Sequence, residues 1–313
     1  MATRATHVDF DAIQARLKPL QEQEERARQL SATVPPAAVF VGILGPPLPC
    51  DAFSFLEGYA SIRKVTNPPG VVHVCSAANP SRSDYMGVSR YSHAFTSEIA
   101  FGNTEEFPTK RDPQLYLDLA WHTVAMLKLR TGAAIVCPAA SSCSWDTVAA
   151  APQGTVQFQL LDDVSRKVLA SPPRRAISVD DLNWVKQHFN VAQELRNAQS
   201  SGRFGLAFNL MYTWNHVADS RLAITNLWCG LEALFGTNEK ALSAMLAARI
   251  SQWVPSVSNQ KVRKLYRIRC NAVHGARLDG AQVARAAEET EDVLRKALIR
   301  CIETNSKTLP DWT

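Results

Sequence analysis

The sequence predicts an α+β region followed by an all-α helical bundle, and the pattern of apolar residues changes between the two. Short β-prone runs separated by turns dominate up to about residue 177, and segments with helical apolar spacing follow. A Pro-Pro-Arg-Arg stretch at residues 171–175 predicts a linker, because consecutive prolines bar a helix and arginines prefer solvent. We therefore expect two domains, residues 1–175 and residues 176–313.

The whole chain has the length and composition of a folded protein. Its 313 residues suffice for two ordinary domains or one large domain. Hydrophobic residues make up 46% and charged residues 20%, which excludes disorder as a description of the whole chain. The net charge of +5 is too small to indicate a nucleic-acid-binding protein unless the excess is concentrated in one segment.

Three features predict a soluble, cytoplasmic protein. The 7 cysteines are scattered without a CxxC pair, as reduced thiols usually are. No segment reaches the roughly 20 apolar residues that a membrane span needs. The first 30 residues also lack the apolar stretch of a signal peptide.

The elements of the N-terminal region follow from local spacing. Residues 9–30 predict a solvent-rich amphipathic helix that ends before two prolines. Strands are predicted at residues 38–44, 71–75, 134–136 and 155–161. Residues 112–129 have a broad apolar face and predict a helix that Gly132 ends.

Five helical segments are predicted after the linker. They cover residues 178–198, 204–236, 238–253, 259–273 and 282–303. Ser178 and Asp181 have the spacing of a capping box, and Asp279 is the expected N-cap of the last helix. Gly236 and Gly275 are expected to end the second and fourth segments.

The common enzyme motifs are absent from the sequence. We find no phosphate-binding loop, dinucleotide-binding glycine motif, zinc-protease motif or hydrolase nucleophile elbow. Cys137 and Cys143 lie close together, but a structural zinc site needs four ligands and no second cysteine pair or nearby histidine is available. We predict that these two are buried structural thiols, and that the protein uses no metal and no other cofactor.

The basic excess is concentrated in one segment, because no acidic residue lies between Glu239 and Asp279. Five basic residues fall on the predicted helix at residues 259–273: Lys261, Arg263, Lys264, Arg267 and Arg269. Such a helix attracts phosphate, although a solvated helix face explains the same composition.

His274 ends the same helix, where the helix dipole favours its protonated form. Arginine precedes it at two spacings, R-x4-H through Arg269 and R-x6-H through Arg267. Histidine can transfer protons near neutral pH and arginine binds phosphate oxygens, so together they form a minimal phosphodiester site. The bare pattern is weak evidence, and taken alone it fits a structural histidine at a helix end better than a catalytic one.

Three consecutive motifs carry a family resemblance. LWCGLEALFG at residues 227–236, NEKALSAMLAARIS at residues 238–251 and LYRIRCNAVHG at residues 265–275 follow in this order. In this respect the chain resembles the ApeA-like branch of the HEPN superfamily over about residues 180–302, whereas residues 1–175 resemble no family.

The resemblance assigns roles to four residues. Arg269 and His274 would be the signature pair, Glu232 the acidic residue that faces the site, and Asn271 a polar neighbour. The position after the arginine is often polar in this superfamily, and here it is Cys270.

The resemblance also implies an activity and partners. It implies a metal-independent endoribonuclease that acts in anti-phage defence or as a toxin-like module, controlled by a phage-derived trigger or an inhibitory partner. Cleavage by the 2′-hydroxyl of RNA needs a base, an acid and a cation, and one motif offers one histidine. A homodimer would supply the second histidine. The predicted RNA-binding side chains are Lys261, Arg263, Lys264, Tyr266 and Arg267.

Several alternatives remain open from the residues alone. Glu232 could hold the bundle together by pairing with Arg249 or Arg269, and Tyr266 could belong to the core instead of stacking on a base. The whole domain could be a non-catalytic dimerisation module or a nucleotide- or RNA-binding module. A catalytic His274 must face the dimer axis, whereas a binding module tolerates its burial. Residues 1–175 are expected to act as a sensor or regulatory domain.

Overall fold

A computed structural model defines the fold over most of the chain. It describes residues 39–56, 60–79, 84–101, 113–162, 175–198, 202–236, 242–275 and 277–304. The amphipathic helix predicted at residues 9–30, and residues 171–174 of the predicted linker, lie outside the described residues.

The described strands form one antiparallel six-stranded sheet in the order β2-β3-β4-β1-β5-β6. They are β1 (Val39–Leu44), β2 (Ala52–Phe55), β3 (Ala60–Lys64), β4 (Ser97–Phe101), β5 (Val136–Ser141) and β6 (Phe158–Leu160). β1 lies between β4 and β5, so its Val41 and Ile43 are buried in the core. Gly42 leaves room for a neighbouring aromatic ring, because a Cβ there would lie 2.6 Å from Phe95.

Within its described residues, the same half of the chain has three α-helices: α1 (Val71–Ala77), α2 (Tyr85–Val88) and α3 (Pro113–Thr131). α3 confirms the helix predicted at residues 112–129. It ends at Gly132, whose positive φ of 67° suits a residue without a side chain.

The strand predictions were partly right. β1 and β6 confirm the strands predicted at 38–44 and 155–161, with residue 38 outside the described residues. The strand predicted at 134–136 begins only at Val136. The strand predicted at 71–75 is wrong, because this segment is α1. Val74 and Ala77 are buried three residues apart while Val71 is exposed, so the helical period overrides the β propensity of valine.

The C-terminal half is helical, which confirms the predicted fold class. Its helices are α4 (Val179–Asn197), α5 (Gly202–Thr213), α6 (Ser220–Phe235), α7 (Leu242–Trp253), α8 (Asn259–Val273) and α9 (Gly280–Glu303). α8 has the bounds that the sequence predicts. Asp279 caps α9 by accepting a hydrogen bond from the Ala281 amide at 3.1 Å.

The single helix predicted at 204–236 is wrong, because the chain breaks into α5 and α6 around a 3₁₀ turn, Trp214–His216. Buried Lys128 of α3 donates hydrogen bonds to the Tyr212 carbonyl and to the Asn215 side chain. Asp219 then caps α6 by accepting from the backbone. The break therefore depends on a cation from another helix, which local spacing does not reveal.

The predicted capping box of α4 is confirmed, and it has an additional partner. The Asp181 amide donates to the Ser178 hydroxyl at 3.2 Å, and the Ser178 amide donates to the Asp181 carboxylate at 2.9 Å. Arg175, expected in solvent, donates two bonds to the same carboxylate at 2.7 and 2.8 Å. Arg175, at the end of the predicted linker, is therefore hydrogen-bonded to the start of the bundle.

α3 joins the two halves of the fold. One side of α3 packs against β1 and β5, and the other packs against α4, α5 and α9. One buried apolar cluster accordingly extends from the sheet through α3 into the bundle.

Candidate functional site

α8 positions the residues that the sequence singles out. The Lys261 amide donates to the Ser258 hydroxyl at 3.2 Å, which caps the start of the helix. The His274 amide closes the last turn on the Cys270 carbonyl at 3.0 Å. Gly275 has a φ of 74°, a conformation that favours glycine, so the chain turns away directly after His274.

The outer face of α8 carries His274 together with arginines. Arg263, Arg267, Asn271 and His274 are all exposed, whereas Val262 on the opposite side is buried. With about 100° per residue, positions 263, 267 and 274 fall within an arc of about 40°. The R-x6-H spacing therefore places Arg267 and His274 on one solvent-facing side of the helix.

Arg269 lies on a different side of α8, about 140° from His274. Its Nη2 is 3.3 Å from Oε1 of Glu232 on α6, and the two side chains are 20% and 25% exposed. The structure thus brings Arg269 and Glu232 together, in agreement with one alternative for Glu232. His274 does not share their side of α8.

The Arg269–Glu232 pair lies beside aromatic rings. The guanidinium carbon of Arg269 is 5.8 Å from the centroid of the Tyr266 ring, and Tyr266 packs edge-to-face on buried Trp228 at 5.2 Å. Burial, followed by the neighbouring Cys270, raises the pKa of Tyr266. Tyr266 therefore belongs to the contact between α6 and α8.

This pair is incompletely satisfied. Arg269 Nε and Glu232 Oε1 are both buried, and neither makes a hydrogen bond within the described residues. Buried polar atoms are normally hydrogen-bonded, so these two are expected to find a further donor or acceptor.

The other basic residues fall into two groups. Lys261 forms an ion pair with Glu289 of α9 at 3.4 Å, and Arg249 donates to the Phe235 carbonyl at the end of α6 at 3.0 Å. Arg263, Lys264 and Arg267 are instead exposed. Of the predicted RNA-binding side chains, these three are presented to solvent, while Lys261 and Tyr266 make contacts within the chain.

The prediction that Cys137 and Cys143 are both buried is confirmed for Cys137 only. Cys137 is buried and its pKa is raised to about 12 by burial. Cys143 is only partly buried, and burial raises its pKa as well. The described ranges contain no group of three or more His, Cys, Asp or Glu side chains that could hold a metal ion. They also contain no helix long and apolar enough to cross a membrane.

No family model, curated protein or solved structure matches this chain. The HEPN resemblance therefore remains a prediction carried by its three motifs. The first motif lies on α6 and the last on α8. The two helices touch through Glu232 and Arg269, one residue from each motif.

The exposed residues of α8 can transfer a proton and bind phosphate. An exposed imidazole can accept or donate a proton, and guanidinium groups on the same helix face can bind phosphate oxygens. A single α8 offers only one histidine. One feature had no sequence signal: a cleft between α8 and α9, which forms only when the two helices pack together.

Proposed function

We propose that this protein is a metal-independent endoribonuclease that is active as a homodimer. The observation that carries the proposal is the exposure of His274 on the side of α8 that also presents Arg263 and Arg267. A buried His274 would have favoured a binding module. The proposal therefore rests on an accessible proton-transfer group beside phosphate-binding groups.

The reaction uses groups that this chain and RNA contain. One imidazole takes the proton of the 2′-hydroxyl, whose oxygen attacks the adjacent phosphorus. Arginine stabilises the charge that develops on the phosphoryl oxygens. A second imidazole, in the imidazolium form, donates a proton to the departing 5′-oxygen. The products are a 2′,3′-cyclic phosphate and a 5′-hydroxyl, and DNA cannot react because it has no 2′-hydroxyl.

A second copy of the chain would supply the second imidazole. The end of α8 supports this pairing, because Val273 beside His274 is an apolar side chain that is 48% exposed. A contact between copies through this end of α8 would cover Val273.

The geometry favours different roles for Arg267 and Arg269. Arg267 shares the exposed side with His274 and is the better candidate to bind the scissile phosphate. Arg269 is held by Glu232 and packs on Tyr266, so it is a positioning residue that fixes α8 against α6. Asn271 is exposed about 60° around α8 from His274, away from Arg269, and could contact the ribose or phosphate.

The test is cleavage of labelled RNA and of DNA with the same sequence, both in the presence of EDTA. RNA should be cut to products with a cyclic phosphate, DNA should remain intact, and His274→Ala should be inactive. His93→Ala is the matched control, because His93 is an exposed histidine in the other half of the chain. Unchanged cleavage by His274→Ala, or intact RNA with a protein shown to be dimeric, would refute the proposal.

The second candidate is a non-catalytic RNA-binding module. The engagement of Arg269 by Glu232 favours it, because the arginine of the signature pair is then not available to His274. This candidate predicts salt-sensitive RNA binding that Arg263→Gln and Arg267→Gln weaken, with no cleavage under any condition. His274→Ala would then bind RNA as well as the unaltered protein does.

A further inference from the structure

The cleft between α8 and α9 has a volume of about 280 Å³. Its floor is apolar and consists of Leu265 and Ile268 from α8 and Ala286 from α9. Pockets for small ligands are typically roughly 300–1,000 Å³, so this cleft is at the lower limit of that range. It has room for one small, partly apolar group and not for a longer segment of a macromolecule.

The rim of the cleft carries two exposed cations. Lys264 and Arg285 project from opposite helices, and neither makes an ion pair within the described residues. The two acidic residues of the rim are already engaged, since Glu289 pairs with Lys261 at 3.4 Å and Asp279 accepts from the backbone at 3.1 Å. Because Lys261 offsets the charge of Glu289, Lys264 and Arg285 face only the remaining carboxylate of Asp279, and the net charge around the rim is positive.

The rim also offers groups that can recognise a polar edge. The Gln282 amide lines the cleft, and it can both donate and accept hydrogen bonds. Glu289 can accept a hydrogen bond in addition to its ion pair. An apolar floor with polar edges and two unpaired cations matches a nucleobase joined to a phosphate more closely than it matches a lipid or a peptide.

The position of the cleft connects it to the proposed catalytic face. Lys264 lies about 60° around α8 from Arg267. Ile268 and His274 are six residues apart, which separates them by about 9 Å along the helix axis and by about 120° around it. A nucleotide in the cleft could therefore belong to the same RNA strand as a phosphate bound at His274.

We propose that the cleft between α8 and α9 binds a single nucleotide, with its base on Leu265, Ile268 and Ala286 and its phosphate between Lys264 and Arg285. The proposal that the cleft binds a nucleotide depends only on the residues of the cleft. The role of the cleft in RNA cleavage, where it selects the base near the cut phosphate, rests on the proposed function.

The binding test uses AMP, GMP, CMP and UMP as probes, with inorganic phosphate for comparison, on the full-length His274→Ala protein measured by calorimetry. At least one mononucleotide should bind more tightly than inorganic phosphate. Arg285→Gln should weaken it about tenfold or more, as loss of a charged hydrogen bond does. Arg203→Gln is the control, because Arg203 is an exposed arginine on α5. Absence of mononucleotide binding, or equal weakening by both variants, would overturn the proposal.

A cleavage test separates the two proposals. Arg285→Gln is introduced into the chain with His274 intact, and the positions of RNA cleavage are mapped. A changed base preference supports the role in RNA recognition. Unchanged cleavage positions and cleavage rates would refute that role. The ligand of the cleft would then be a free nucleotide. Mononucleotide binding that depends on Arg285, in a protein that cuts no RNA, would support the cleft while the nuclease proposal fails.

Discussion

Acidification is expected to destabilise the fold through His122 of α3. This residue is fully buried between α3 and α4. Its Nε2 is 3.3 Å from the Phe189 carbonyl and its Nδ1 is 3.4 Å from Nη1 of Arg196. Because the guanidinium can only donate, Nδ1 accepts and Nε2–H donates, so the neutral ring is fully satisfied. Burial and the charge of Arg196 lower the pKa of His122 to about 3.

The size of the change in unfolding free energy follows from the difference between the pKa values of His122 in the folded and unfolded chain. An unfolded histidine has a pKa of about 6.5, so below this pH the unfolded chain binds a proton that the folded chain does not bind. The free energy of unfolding therefore falls as the pH drops below about 6.5 and continues to fall until about pH 3. Between about pH 7.5 and about pH 5, this one residue should remove about 2 kcal/mol.

The assay is urea unfolding followed by tryptophan fluorescence at several values across that pH range. His122→Gln keeps a polar side chain without a titrating ring, so its unfolding free energy should fall by about 2 kcal/mol less than that of the unaltered protein. His73→Gln, which replaces an exposed histidine, should follow the unaltered protein. Parallel curves for the unaltered protein and His122→Gln would refute this account of the buried ring.

Three further predictions test packing, capping and thiol burial. Gly42→Ala places a Cβ 2.6 Å from the Phe95 ring and should cost about 1–3 kcal/mol of unfolding free energy, with partial recovery in Gly42→Ala/Phe95→Leu. Thermal unfolding of both proteins measures this, and full stability of the single variant would contradict it. Asp181→Asn removes the charge that accepts two bonds from Arg175 and should cost about 2 kcal/mol in urea unfolding, whereas exposed Asp180→Asn should cost little. Equal effects of these two would argue against the capping role. Alkylation read by mass spectrometry should modify exposed Cys75 and Cys229 in the folded protein, but Cys137 and Cys301, whose pKa values burial raises to about 12, only after unfolding.

The elements that the sequence predicts well have local signals. α8 has strong helical periodicity, a serine N-cap and a glycine after its end, so its bounds were predicted to the residue. β2, β3 and β4 were not predicted, because their short sequences AFSF, ASIRK and SEIAF mix apolar with polar residues. Glu98 of β4 shows the reason: it is buried, but the Ser144 hydroxyl and the Trp145 amide donate to it. Tertiary hydrogen bonds permit a carboxylate where a sequence pattern expects an apolar residue.

The candidate site was predictable only in part. The sequence placed Arg267, Arg269 and His274 on one helix, and the pairing of Glu232 with Arg269 was among its alternatives. It did not show which of these side chains face solvent and which pack against α6. That choice depends on how α8 is rotated against α6, which the buried residues on both helices determine together. The cleft beside α9 was not predictable for the same reason.

The position of α3 in the chain has a consequence during synthesis. The ribosome completes α3 before it makes α4, α5 and α9, yet Trp121 of α3 packs on Phe208 and Tyr212 of α5. Arg295 of α9 also donates to the Leu129 carbonyl at the end of α3, 166 residues earlier in the chain. The nascent N-terminal half therefore presents an uncovered apolar helix until nearly the last helix has left the exit tunnel. This half is expected to depend on chaperones if translation stops early, and the helical bundle cannot be completed on a truncated chain.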